Sequence, residues 1–307
     1  MMRIGFCCSN TDAAPWLEGL RAALPDANVA SWQSGDPPAD YAVVWAPPQA
    51  FFDQQPGLKA AFNIGAGVDA LLRLQIAPST LLVRLDDAGM AVQMAEYVCH
   101  AILRAYRGLD QYANSASMGH WQPIEPPARA EFPVGIMGLG VLGARVAHAV
   151  RQFEFPVNGW SRTAKAIDGV QCFHGQAQLP AFLAASRVLV CLIPLTPDTR
   201  GLLNRHTLSQ LRSGGVVINV ARGAHLVDED LLALLDSGHL SSATLDVFHT
   251  EPLPADHPFW RHPQVTVTPH ISAQTLRQES IAQIARKLRM LERGAAIAGV
   301  VDRTRGY

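Results

Sequence analysis

The stretch that most constrains this chain is Phe132-Pro133-Val134-Gly135-Ile136-Met137-Gly138-Leu139-Gly140-Val141-Leu142-Gly143. It opens as a short apolar run, which suits a buried strand, and ends in Gly-x-Gly-x-x-Gly. It then passes into Ala144-Arg145-Val146-Ala147-His148-Ala149-Val150, whose apolar spacing predicts a helix. Each glycine has a physical reason in such a turn. Gly138 permits the tight reversal, Gly140 has no Cβ to hold a pyrophosphate off the backbone, and Gly143 lets helix and strand pack closely. The helix start adds free N–H groups and a positive dipole end. Residues Gly138, Leu139, Gly140, Val141, Leu142 and Gly143 are therefore candidates for cradling a dinucleotide.

The rest of the chain narrows the partners. With 307 residues, about half of them apolar, two domains with substantial cores are expected. Lys and Arg number 25 against 26 Asp and Glu. No net field is left to attract nucleic acid or an anionic membrane surface. Cys7, Cys8, Cys99, Cys172 and Cys191 form no C-x-x-C pair, and most lie in apolar contexts. They read as reduced thiols of a cytoplasmic protein. The first residues are too short for a signal segment and read as a strand, and no apolar run reaches the length of a membrane span.

Taken in order, strands are expected over 2–8, 40–46, 58–64 and 81–85, with a helix over 15–24. This alternation predicts a small parallel α/β lobe. Trp45 and the turn Gly65-Ala66-Gly67-Val68 fall at strand ends, where open α/β sheets bind ligands. Trp45 suits core packing or a pocket wall. The turn suits an ordinary helix entry or a nest of N–H groups for a small carboxylate. One long helix is expected from 90 to about 114, then a proline-rich arm around Trp121 that suits a linker, a hinge or a dimerisation element. A second lobe of βα units follows, with Asp228 as N-cap of a helix over 228–237. The last helix, about 274–293, carries Arg277, Arg286, Lys287 and Arg289, expected on a solvated face.

Several strand ends in the second lobe carry chemistry. A protein that binds NAD would place an acid on the ribose about 20 residues past the glycines. Here Ser161-Arg162-Thr163-Ala164-Lys165 stands instead, and the nearest acid, Asp168, lies further into the loop. Arg162 and Lys165 would attract a 2′-phosphate, and Ser161 or Thr163 could donate to it. The cofactor expected is NADPH, with NADH weaker. Arg222, in Asn219-Val220-Ala221-Arg222-Gly223, can fork onto a carboxylate or carbonyl oxygen. Asp246 follows another strand. Glu251 and His270 sit at comparable edges, and a Glu holding a His tautomer is a usual general acid/base arrangement. His249, His257 and His262 lack zinc-like spacing and read as loop residues; no metal is expected.

These stretches, with Pro194-Leu195-Thr196-Pro197-Asp198-Thr199-Arg200-Gly201 and Pro269-His270-Ile271-Ser272-Ala273, resemble the D-isomer-specific 2-hydroxyacid dehydrogenase family. The resemblance is densest over 134–275 and extends through Gly65-Ala66-Gly67-Val68-Asp69 into the first lobe. It implies two doubly wound α/β lobes of parallel sheet. A Rossmann cofactor domain, 94–273, would be inserted in a flavodoxin-like substrate domain, 1–93 and 274–307. It also implies roles. Arg222 would hold substrate, His270 would donate the proton with Glu251 bonded to it, and Asp246 would meet the nicotinamide amide. Pro194, Val220 and Ala221 would line the cofactor. Trp45, Ala66, Gly67 and Val68 would face a small 2-keto acid, and Trp121 of a homodimer partner would approach the site.

The implied reaction is NADPH-linked reduction of small 2-keto acids: glyoxylate to glycolate and hydroxypyruvate to D-glycerate. The residues leave open reduction of a bulkier keto acid, or a non-enzymatic sensor of NAD(P)H on the same fold. Glu251 stands where formate-oxidising relatives carry Gln, which counts against formate.

Overall fold

The structure, a computed structural model, describes residues 1–306. The chain divides into two compact units, Met1–Met90 with Thr275–Tyr307, and Ala91–Gln274.

The first unit holds β1 (Met2–Cys8), α1 (Ala13–Ala23), β2 (Ala27–Ser31), β3 (Tyr41–Trp45), α2 (Gln49–Asp53), β4 (Ala60–Asn63) and β5 (Leu81–Val83). Its strands are all parallel in the order β2-β1-β3-β4-β5, the flavodoxin-like arrangement. β3 and β4 are apolar and buried almost throughout, as central parallel strands must be when helices cover both faces. The sequence reading missed β2. It is an edge strand with only Val29 buried, so it carries no apolar run to detect.

The second unit opens with α3 (Met90–Tyr106) and α4 (Leu109–Ser117). These replace the single long helix expected. The backbone turns left-handed at Gly108, with φ 63°, which ends one helix and starts the next. Then come β6 (Val134–Met137), α5 (Val141–Arg151), β7 (Val157–Ser161), β8 (Gln171–His174), α6 (Gly175–Ala184), β9 (Val188–Cys191), α7 (Arg205–Leu208), β10 (Gly215–Asn219), α8 (Asp228–Asp236), β11 (Leu240–Leu245) and β12 (Val265–Val267). The sheet order is β12-β11-β10-β9-β6-β7-β8, again all parallel. This is the Rossmann order with one strand added at the β12 edge. The chain reverses direction across the sheet between β6 and β9, the topological switch point where ligands bind. β6, β9 and β10 are buried along their whole length. β8, the other edge, exposes both of its ends and was not foreseen, for the same reason as β2.

The last helix, α9 (Arg277–Glu292), belongs to the first unit and packs on α1. Its basic face is not uniformly solvated. Arg277, Arg286 and Arg289 are exposed, but Lys287 is buried, with its Nζ 2.9 Å from Asp86 and 3.1 Å from the Arg84 carbonyl. Burial pushes the Lys287 ammonium below its ordinary range, and the Asp86 carboxylate works against that shift. Among the described residues no helix is long and apolar enough to cross a membrane.

Removing one partner of a buried ion pair strands the other charge, at a typical cost of about 3–5 kcal/mol. Asp86→Ala is expected to lose about 3 kcal/mol in urea unfolding. Joint replacement, Asp86→Asn with Lys287→Met, should lose clearly less than Asp86→Ala alone.

Candidate active site

The glycine turn follows β6. Gly138 adopts φ 110°, and a Cβ there would lie 2.7 Å from the Leu192 carbonyl carbon. A Cβ on Gly143 would collide with the Gly138 carbonyl oxygen, so this position fixes the close approach of α5 to the turn. Gly140 differs. An added Cβ would meet nothing within 4 Å, so the space above it is open. Leu139 is buried, while Val141 is exposed and Leu142 half-buried at the helix start. The first N–H groups of α5 have no intrahelical partner, which is what suits a helix start to an anion.

One strand over, β7 ends at Ser161, whose hydroxyl donates to the Thr163 carbonyl at 2.7 Å. Arg162, Thr163 and Lys165 are exposed. Asp168 is ion-paired with Arg151 at 3.2 Å and therefore occupied elsewhere. The ribose end of the turn thus carries cations and hydroxyls and no free acid. Pro194, past β9, is exposed, and its carbonyl accepts from Thr199 Oγ1 at 2.8 Å. Val220 and Ala221 are buried beyond β10. An open glycine, a free helix start and a basic loop on neighbouring strand ends fit a dinucleotide with a 2′-phosphate.

The candidate acid/base residues sit on the other half of the sheet. β10, β11 and β12 are adjacent. Arg222 follows the first, Asp246 and Glu251 the second, and His270 the third. Glu251 Oε2 lies 2.8 Å from His270 Nδ1, and its Oε1 accepts the Phe248 N–H at 2.9 Å. A carboxylate only accepts, so Nδ1 carries a proton and Nε2 is left for other partners. His270 is exposed, with φ 55°. Burial raises the Glu251 carboxyl, but the His270 and Phe248 hydrogen bonds and the charges of His270 and Arg222 outweigh it, so it lies below its ordinary value. The Glu251–His270 pairing is therefore present above the ordinary carboxylate range and lost only as pH falls below it.

Arg222 is half-buried. Its Nη1 donates to the Ala221 carbonyl at 2.7 Å, and its own carbonyl accepts Asn219 Nδ2 at 3.0 Å. A Cβ on Gly223 would strike the Phe248 carbonyl, so the Arg222 and Glu251 turns touch backbone to backbone.

Asp246 is fully buried. Its Oδ1 accepts from Thr268 Oγ1 at 2.6 Å and the Ile271 N–H at 2.9 Å, and its Oδ2 accepts the Ser272 N–H at 2.8 Å. The carboxylate grips the turn that carries His270. Sequence reading also missed Asn219 and Thr268, both strand-end polar residues with no charge to flag them. Asp228 is not the N-cap of α8 but its first residue, and its carboxylate faces His249 and His257.

In the first unit, Trp45 is partly exposed and its ring covers Gly65, where a Cβ would meet Trp45 Cζ3 at 2.5 Å. Asn63 Nδ2 donates to the carbonyls of Gly65 at 3.0 Å and Gly67 at 2.9 Å. Ala66 and Gly67 are half-buried and Val68 is buried. Trp121 is 98% exposed, on an arm tethered at Ile124, whose N–H donates to the Tyr112 hydroxyl at 2.7 Å, and at Pro127, whose carbonyl accepts Tyr106 Oη at 3.0 Å.

A nicotinamide-type cradle beside an Arg, Glu and His set on successive strand ends defines a two-substrate oxidoreductase site. The family model of the D-isomer specific 2-hydroxyacid dehydrogenase NAD binding domain matches residues 99–272, and the chain belongs to that family. Over 303 residues it is 48% identical to glyoxylate/hydroxypyruvate reductase A of Yersinia enterocolitica, covering 96% of this chain and 97% of that protein. Among solved structures it is similar to a D-isomer specific 2-hydroxyacid dehydrogenase of Xanthobacter autotrophicus in complex with NADPH and MES. There the identity is 40%, the TM-score 0.95, and the coverage 100% of this chain and 99% of that one. It is also similar to the NADPH-dependent glyoxylate/hydroxypyruvate reductase of Sinorhizobium meliloti in complex with NADP and sulfate, at 36% identity and TM-score 0.94, with both chains fully covered.

Asp246→Ala leaves two backbone donors and a hydroxyl without their anionic acceptor. Hydrogen bonds to a charged group contribute about 1.5–3 kcal/mol each, so for the three together a loss of at least about 4.5 kcal/mol in urea unfolding is expected.

Proposed function

We propose that this protein reduces small 2-keto acids with NADPH, converting glyoxylate to glycolate and hydroxypyruvate to D-glycerate. The observation that carries the reading is the 2.8 Å Glu251–His270 hydrogen bond with Arg222 on the neighbouring turn, beside a cradle with a basic ribose end. The names of the relatives support the same chemistry. The 91–274 unit acts as the cofactor lobe and the other as the substrate lobe.

Gly138 to Gly143 and the start of α5 hold the pyrophosphate. Ser161, Arg162, Thr163 and Lys165 hold the 2′-phosphate, and Pro194, Val220 and Ala221 line the path toward the reacting end. When bound, NADPH supplies the hydride delivered to C2 of the keto acid. Arg222 binds the substrate's carboxylate and carbonyl oxygens and stabilises the charge that grows on the carbonyl oxygen. His270 gives that oxygen its proton from Nε2. Glu251 keeps the imidazole oriented through its hydrogen bond to Nδ1. Asp246 keeps the His270 turn in place. In the substrate lobe, the amides of Ala66 to Val68 receive the carboxylate, and Trp45 limits the size of the group beyond C2. The free cysteines fit a reducing, cytoplasmic setting. Exposed Trp121 and its neighbour Met118, also exposed, support a homodimer that covers the arm.

Initial rates with both cofactors should give a clearly higher kcat/KM for NADPH. Arg162→Ala should raise the KM for NADPH far more than that for NADH, and a wild type that prefers NADH would overturn the cofactor reading. Across a substrate panel glyoxylate and hydroxypyruvate should lead, and phenylpyruvate as much the best substrate would refute the small pocket.

Reduction consumes the His270 proton, so reductive kcat/KM should fall as pH rises while oxidation gains over the same range. Glu251→Gln removes a negative charge 2.8 Å from the imidazole and should move that falling limb to lower pH. His270→Ala should cost on the order of 10²–10⁴ in rate, the usual share of a positioned proton donor. Light scattering at micromolar concentration should report a dimer.

A further inference from the structure

The segment from His249 to His262 carries Glu251, and its three histidines take no part in the acid pair. Two of them form the same local device. His257 and His262 each precede a proline, and the imidazole Nδ1 of each accepts the N–H two residues on, from Phe259 and from Gln264, both at 3.3 Å. A ring nitrogen that accepts holds a lone pair, so the proton of the neutral ring sits on Nε2. Each Nε2 faces a carboxylate, and both carboxylates belong to α8. Asp228, its first residue, lies 3.4 Å from His257, and Asp236, its last, lies 3.4 Å from His262.

His249 adds a third contact. Its Nε2 donates to the Leu226 carbonyl at 2.8 Å and lies 3.6 Å from Asp228. Helix α8 therefore fastens the segment at both ends, and Asp228 faces both histidines that bracket Glu251, with the Leu226 carbonyl as a second holder of His249.

The two fastenings are unequal. The Asp228 side chain is 20% exposed and that of Asp236 is 75% exposed. Contacts to Asp228 are thus made in a drier place and hold harder. The charged and titratable groups facing Asp228 are His249, His257 and Glu229, and those facing Glu251 are His270 and Arg222. Burial lifts the Asp228 carboxyl above its ordinary range despite both imidazoles. Behind the segment, the Gly223 turn abuts Phe248 and leaves no room for it to retreat.

We propose that Asp228 is a positioning residue for the proton-donating pair: through His249 and His257 it fixes both ends of the loop that presents Glu251 to His270. This rests on the assignment of Glu251 and His270 as the acid pair of keto-acid reduction.

The test uses the full chain and four variants. Asp228→Ala removes the hub, and Asp228→Asn keeps one acceptor oxygen without the charge. His257→Asn keeps an acceptor for the Phe259 N–H but is too short to reach Asp228. Asp236→Ala removes the matching fastening at the far end of α8. Each is measured for reductive kcat/KM against pH with glyoxylate and NADPH, for the KM of NADPH, for thermal unfolding, and for histidine titration by NMR.

Asp228→Ala should lower kcat by about tenfold, as misplaced catalytic groups do. It should move the falling limb to lower pH in the direction of Glu251→Gln and leave the KM of NADPH within about twofold. His257→Asn should move the limb the same way, Asp228→Asn by less, and Asp236→Ala not at all. The NMR titration of His270 should shift with the limb, and His257 should read as the Nε2–H tautomer in the wild type. If Asp228→Ala does not fold, Asp228→Asn and His257→Asn decide the matter by the same readouts. A wild-type limb and an unshifted His270 titration in the folded Asp228 and His257 variants would overturn the proposal while leaving the reductase reading intact. A wild type that does not turn over glyoxylate or hydroxypyruvate would overturn the reductase reading itself.

Discussion

The geometry of the Glu251–His270 pair depends on one buried carboxylate. Asp246 has no exposure to solvent, and an unpaired charge in that position would be very costly. It persists because Thr268, Ile271 and Ser272 all donate to it. The relation works in both directions. The charge obliges the residues after β12 to fold back over it, and that turn puts His270 at φ 55°, a region that side chains with a Cβ seldom adopt. A strained residue persists only where its surroundings over-determine it. Here the surroundings are the grip of Asp246 on one side and the Glu251 hydrogen bond on the other. Thr268 is itself held by Tyr97 on α3, at 2.5 Å, so the anchoring reaches a helix that no motif would have singled out.

From that anchor the layout follows the topology. Three adjacent parallel strands deliver an arginine, a glutamate and a histidine to the same sheet edge. Next to them β9 delivers Pro194, and across the switch point β6 and β7 deliver the glycine turn and the basic loop. Parallel strands end together, so a doubly wound sheet gathers residues that are far apart in sequence without any long loop to carry them. The turns also share walls. Gly223 lets the Arg222 turn lie directly on the backbone at Phe248, whose N–H holds Glu251. A shift of one turn is therefore felt by the next.

Most of this was legible in the sequence, and the reasons are local. The glycine turn announces itself because Gly138 and Gly143 exclude a Cβ and Gly140 keeps the space above it open. Arg222, Glu251 and His270 stand out as charged or titratable residues directly after apolar runs. What stayed hidden was of two kinds. Edge strands β2 and β8 are half solvated and lack the apolar pattern that marks their neighbours. Lys287 and Asp228 were misread because a charge in a helical pattern suits a wet face or a cap equally well, and only tertiary contacts separate the two. Lys287 meets Asp86 from a distant part of the chain, and Asp228 meets two histidines from the far side of β11. Neither pairing leaves a trace in spacing.

The two lobes solve one problem in the same way. β4 ends in Asn63 and β10 in Asn219, both buried, and each is followed by a glycine-containing turn. Asn63 donates its amide to the carbonyls of Gly65 and Gly67, and Asn219 donates to the carbonyl of Arg222 while accepting the Ala221 N–H at 3.2 Å. A turn at the end of a buried strand has carbonyls that no ladder satisfies, and leaving them bare in the interior is costly. An aspartate could only accept and would repel those oxygens, while a leucine would satisfy nothing. Asparagine satisfies them with its own NH₂. Because the carbonyls of the Gly65 turn are drawn inward onto Asn63, its N–H groups are the part left to meet an anion. At Arg222 the carbonyl is drawn onto Asn219 in the same way. In both lobes a neutral amide, fixed at a strand end, decides where the carbonyls of the turn above it go.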